Sequence, residues 1–331
     1  METKGFKPQN NSTISIIMCL FLITTGNLFA QNFKKTYKYL KSNDIEKATL
    51  AYNDIDRKEI KTYDNVVIFG IAGIILSCNE KYENYNPYNA LESFNKITKM
   101  NADFNKVNKF LHKYDLTYEK TQDIIYNSIA AYAKKINTEA EYSKALSVCN
   151  DCFYKRELLE LKEKTAFKKT KQDNSIETCN RFISSYPNSN YLNEIKDLLN
   201  DLSFNEAKSK MTVQSMNNYL SKFNNNNNKY FRTAIHIRDS IAFSKLSRNY
   251  FDYKNFMNEY PTSEYSTVIN EQLPELLISQ AQSTKDIKLY ELFFNNYPNS
   301  NQIENVKSQL EYLYFLELTK NPSINNYEKY K

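Results

Sequence analysis

Apolar residues return at a fixed step along the second half of this chain. Three near copies, RFISSYPNSNY (181–191), NFMNEYPTSEY (255–265) and LFFNNYPNSN (292–301), place Tyr186, Tyr260 and Tyr297 74 and then 37 residues apart. Halving the larger gap lands on Phe223, and one further step back lands on Cys149, so five units share one period. A first column reads Tyr142, Cys179, Met216, Tyr253 and Tyr290. Three residues on, a second reads Ala145, Phe182, Tyr219, Phe256 and Phe293, and four residues further comes the Cys149–Tyr297 column itself. Offsets of i, i+3 and i+7 fall on one face of an α-helix. Upstream stand Thr138, Ser175, Thr212, Asn249, Asp286 and Ser323, all side chains that accept a hydrogen bond from an orphan N–H of a first helical turn. Thr138 with Glu141 also spells a capping box. We term this segment helix A of each unit.

Pro187, Pro261 and Pro298 follow the last aromatic and forbid helix A from continuing. Ser189, Ser263 and Ser300 come next and are expected to cap a second helix, B. Its apolar column runs Leu158, Ile195, Ile269 and Val306, with Arg232 as the exception, and nine residues on stand Phe167, Phe204, Ile241, Ile278 and Phe315. Pro274 falls inside helix B of the fourth unit and is expected to bend it or shift its start. The run Asn224–Asn228 reads as a loop standing in for Tyr-Pro-Asn-Ser, with no role of its own. One helix pair cannot bury both apolar faces, so neighbours must stack. Earlier in the chain the spacing is looser. Helices are expected over Phe33–Leu40, Ile45–Tyr52, Tyr63–Cys78, Asn89–Met100, Ala102–Tyr114 and Tyr118–Ile136. The fold class expected is all-α, an α-solenoid of stacked helix–turn–helix repeats. The divisions are a leader (1–30), an irregular helical region (31–137), and five 37-residue repeats with a truncated sixth (138–331).

Composition sharpens this picture. The 331 residues include only 4 Gly, 2 His and no Trp, against 27 Tyr. Of the glycines, Gly70 and Gly73 alone lie in the body, which removes phosphate-binding loops and dinucleotide fingerprints. Two histidines leave little for zinc or triad chemistry, and no carboxylate pair or nucleophile motif stands out, so no catalytic residue, cofactor or metal is expected. The net charge of +6 arises from 44 basic and 38 acidic residues interleaved along the chain, which is no footprint for nucleic acid.

The N-terminus reads as a secretory signal peptide. Lys4 and Lys7 precede the apolar run Ile14–Ile23, and Leu28-Phe29-Ala30 offers cleavage before Gln31. The run is short of the roughly 20 residues that span a bilayer, so no membrane span is expected after cleavage, and the compartment expected is the periplasm or cell surface. Met18 before Cys19 does not suit lipoprotein processing. Export permits disulfides among Cys78, Cys149, Cys152 and Cys179. Because Cys149 falls in the apolar column, the sequence favours its burial as a small hydrophobe over a Cys-x-x-Cys redox role.

The aromatic-Tyr-Pro-x-Ser segments, with small residues late in helix B such as Ala207 and Ala281, resemble tetratricopeptide-like repeats. They look most like the YP(N/T)S-bearing repeats of exported proteins from Bacteroidetes-type bacteria, and are similar to outer-membrane assembly factors built from such repeats. That resemblance implies a protein-binding scaffold with no catalytic residues.

Helix A also has a polar side, and in stacked pairs the A helices line the inner groove. The candidate partner-binding residues there are Asn180, Arg181, Asn217, Asn218, Lys254, Asn255, Asn258 and Asn295. Carboxamides both donate to and accept from the backbone of an extended peptide. The 44 asparagines make a merely solvated face the competing interpretation. The function expected is a non-enzymatic interaction scaffold for a protein or peptide. An envelope-assembly factor is the alternative, and an enzyme accessory chain comes last. Tyr327 and Tyr330 continue the helix A stripe beside Lys331, which suggests a fragment of a longer protein.

Overall fold

A computed structural model describes residues 29–330 except 150, 151 and 226. The predicted leader lies outside the described residues but for its last two, which begin the first helix. The described residues form helices and no strands. They fall into two compact units, one ending at Lys169 and the other beginning at Thr170.

The first unit holds α1 (Phe29–Lys41), α2 (Ile45–Asn53), α3 (Tyr63–Ser77), α4 (Pro87–Ile97), α5 (Phe104–Leu111), α6 (Tyr118–Ile136), α7 (Glu139–Val148) and most of α8 (Lys155–Asp173). Asp44, Thr62, Asn86, Asp103 and Thr117 cap α2, α3, α4, α5 and α6, each accepting from backbone N–H groups two or three residues on. α3 is apolar nearly all round and lies in the core, with Ile71, Ala72 and Leu76 fully buried. Tyr37 donates its buried hydroxyl to the Ile68 carbonyl at 2.6 Å. Gly73 is required by Tyr52, whose ring stacks on Phe69 at 4.4 Å; a Cβ at 73 would meet that hydroxyl inside van der Waals contact. No helix is long and apolar enough to cross a membrane among the described residues.

The repeat register governs the second unit, which follows as α9 (Ile176–Ser185), α10 (Leu192–Lys210), α11 (Val213–Lys222), α12 (Phe231–Ser244), α13 (Tyr250–Glu259), α14 (Tyr265–Thr284), α15 (Ile287–Asn296), α16 (Ile303–Lys320) and α17 (Ile324–Tyr330). The five A helices, α7, α9, α11, α13 and α15, are each ten residues long. Their caps Thr138, Ser175, Thr212 and Asn249 share φ −122° to −134° and ψ 150° to 159°, each accepting from the N–H three residues on. Asp286 departs to φ −86°, ψ 112° and accepts from Lys288 instead. At the other end Cys149, Tyr186, Phe223, Tyr260 and Tyr297 are the five C-caps, at φ −113° to −132° and ψ 46° to 63°. The first two stripe columns are buried throughout, from fully buried Cys179, Met216 and Phe293 to Tyr253 at 6% exposure. Within the second unit α9 packs on α10, α10 on α11, α11 on α12, α13 on α14, α14 on α15 and α15 on α16.

Several expectations are corrected. Ser189, Ser263 and Ser300 do not cap helix B: each hydroxyl accepts from the N–H two residues on, closing a turn just before the helix. Arg232 is no exception in the helix B column, because the asparagine loop carries two extra residues and Ala234, fully buried, takes the place. The same shift makes Phe243, rather than Ile241, the counterpart of Phe204. Phe243 stacks on Tyr265 at 4.5 Å, as Phe204 stacks on Tyr230 at 4.2 Å. Asn228 has a role after all. It donates to the Tyr219 hydroxyl at 2.8 Å and accepts from Asn200 at 2.8 Å and from the Tyr230 N–H. Pro274 lies inside α14, as its place in the pattern predicts. Phe315 and Tyr327 are exposed, unlike their counterparts. Cys149 is buried as expected, but it is disulfide-bonded to Cys152 with Cα atoms 5.2 Å apart.

A fourth periodic column lies outside the hydrophobic pattern. Asn137, Asn174, Met211 and Lys285, one residue before the A caps, all have φ between 45° and 53°. This left-handed residue ends helix B and turns the chain into the next cap without any glycine. For Met211 and Lys285 that conformation is strained. Met211→Gly should therefore raise stability by about 0.5–1 kcal/mol, read as a higher urea midpoint at unchanged slope.

Candidate binding surface

Helix A turns its stripe inward, so the positions one, two and five residues after the first column project to the opposite side. Asn180, Arg181, Asn218, Lys254, Asn255, Asn258 and Asn295 are exposed there, and Asn217 is half-buried. The side is not uniform. Ser184 and Ser221 donate their hydroxyls to carbonyls of their own helices, Asn180 and Asn218, at 2.9 Å. The Asn218 side-chain oxygen accepts from Gln214 at 2.8 Å. In α15 the first two columns turn toward neighbours: Glu291 accepts from the Tyr314 hydroxyl, and Leu292 packs against the core. The polar candidates thus sit side by side within each A helix, with Asn295 the one member contributed by α15.

Asn255 opens onto a cavity of about 190 Å³ beside α12 and α13, with Phe256 and Leu246 as apolar wall and Asp252, Glu259 and Tyr260 as polar rim. Burial, and then the Glu259 carboxylate accepting its hydroxyl at 2.8 Å, push Tyr260 up to about 12. Arg238 lies 4.9 Å from the same ring and pairs at 2.7 Å with Asp239, which is 1% exposed. This buried pair was missed because a lone Arg-Asp dipeptide in a helix reads as solvated charge.

Burial raises Tyr37, Tyr219 and Tyr290, and lifts the Cys78 thiol to about 12. Asp44 and Asp103 are lowered by hydrogen bonds from Lys47 and Lys106. Among the described residues no group of three His, Cys, Asp or Glu could hold a metal ion. No protein-family model, curated protein or solved structure matches the chain.

Proposed function

We propose that this chain is an exported, non-enzymatic scaffold, an α-solenoid of tetratricopeptide-like helix pairs that holds a protein or peptide partner along the outward faces of its A helices. The observation that carries this reading is the recurrence, every 37 residues, of one buried stripe, with exposed polar residues on the far side of α9, α11 and α13 that are mostly carboxamides in α11 and α13. Such a stripe spends the aromatic residues on stacking and leaves polar groups, rather than a reactive cluster, to meet a ligand. Carboxamides suit the backbone of an extended segment, whose N–H and C=O groups alternate. The apolar run Ile14–Ile23 behind Lys4 and Lys7 supports export.

A photo-crosslinking residue at Asn218, Asn255 or Asn258 in the full chain should trap a discrete protein adduct in cells. The same residue at Lys208, exposed on α10, should trap none. Equal labelling from both faces, or none from the A helices, would overturn the reading. An adduct made of outer-membrane proteins would move the assignment to envelope assembly.

A further inference from the structure

The turn between helices A and B is closed differently in the first repeat. Counted in steps of 37 residues, Cys149 stands where Tyr186, Tyr260 and Tyr297 stand, and Cys152 where Ser189, Ser263 and Ser300 stand. In the three serine turns the hydroxyl accepts from the N–H two residues on. A backbone bond runs in each as well, from Leu192, Ser266 or Ile303 to the serine carbonyl at 3.1 Å. Lys155 donates to the Cys152 carbonyl at the same 3.1 Å. The cysteine turn thus shares this bond with turns that hold no sulfur, and its disulfide joins two positions that those units leave covalently unlinked. A cross-link between residues three apart restrains an unfolded chain far less than one that closes a long loop. Opening it therefore costs the fold little and leaves the turn its backbone closure.

The two bonded residues are unequally placed. Cys149 is 2% exposed in the third stripe column, whereas Cys152 is half-buried and stands three residues before α8. The adjoining Phe153 is 92% exposed, so the chain meets solvent on the Cys152 side of the turn. A thiolate breaks a disulfide by attacking the sulfur it can reach. Here that sulfur belongs to Cys152, half-buried and so open to a small molecule, and Cys149 is the one that leaves. The other two cysteines of the described residues stay out of the exchange, because Cys179 is fully buried and burial lifts the Cys78 thiol to about 12.

We infer that Cys149 and Cys152 are a redox-active pair, opened at Cys152 by a small external thiol; the inference does not rest on the scaffold reading. The incoming sulfur bonds to Cys152 as the Cys149–Cys152 bond breaks. Cys149 takes the electron pair, and then the proton that the incoming thiol gave up; its burial favours that neutral form. A second external thiol displaces Cys152 from the mixed disulfide, so two external thiols become one disulfide and the pair becomes two thiols. Reduced glutathione is the probe, added to the full oxidised chain. Without denaturant the reduction should run within about tenfold of its rate in urea, and the helical circular dichroism should not change. A maleimide should then label Cys152 of the reduced chain at least about tenfold faster than Cys149, as mapped by mass spectrometry. Cys149→Ser should take one glutathione from glutathione disulfide, at Cys152, and Cys152→Ser should take none at Cys149. Labelling of the unaltered chain decides the matter if either variant fails to fold. Native reduction slower than that, loss of helix on reduction, Cys149 labelled as fast as Cys152, or an adduct at Cys149 overturns the inference.

Discussion

Replacing Phe293 by alanine should destabilise the second unit by about 4 kcal/mol, while Phe294→Ala should cost under about 1 kcal/mol. The two rings are neighbours in sequence and identical in chemistry. Phe293 is fully buried in the second column of the stripe, packed among α14, α15 and α16, whereas Phe294 is 42% exposed. Truncating Phe293 removes a ring from water-free packing and leaves a cavity that three helices cannot close together. Its counterparts Phe182 and Phe256, each 2% exposed, should cost as much. Urea midpoints of the four variants check this. Equal costs for Phe293 and Phe294 would mean that the stripe does not face the core.

The second large effect is expected at Arg238. Arg238→Met should destabilise by about 3 kcal/mol, because it strands the Asp239 carboxylate in the interior. Asp239 takes both the Arg238 Nε, at 2.8 Å, and the Nη2, at 2.7 Å, on one oxygen. Arg238→Met/Asp239→Leu should recover most of the loss, since neither charge then needs a partner. A double-mutant cycle from denaturant midpoints gives the coupling directly, and a double variant no more stable than Arg238→Met would refute it.

The A helices were legible because their signals are local and chemical. Cap residues with small oxygen-bearing side chains, a stripe at i, i+3 and i+7, and a following proline each act within a few residues. The helix B column was legible only while the period held. Two extra residues in the asparagine loop moved Ala234 and Phe243 into places that strict counting assigned to Arg232 and Ile241. The left-handed column was invisible because Met211 and Lys285 are not residues that advertise positive φ. The candidate surface was half legible. Counting found the exposed carboxamides of α9, α11 and α13, but the inward turn of Glu291 and Leu292 in α15 depends on α16 lying beside them. The contacts of Lys229 with Asp201 and of Glu264 with His236 could not be read from sequence, because the placing of Lys229 and Glu264 depends on the turn geometry and on the loop insertion.

The central claim is that one 37-residue step organises the core of the second unit. Native-state hydrogen exchange of the full chain, resolved by residue, tests it most directly. Slow amides should cluster in α9, α11, α13 and α15 at the second-column residues Phe182, Tyr219, Phe256 and Phe293. Fast exchange should return with the same step around Ser189, Asn228, Ser263 and Ser300. A single block of slow exchange that ignores the repeat, or slow amides at non-equivalent positions in successive A helices, would contradict it.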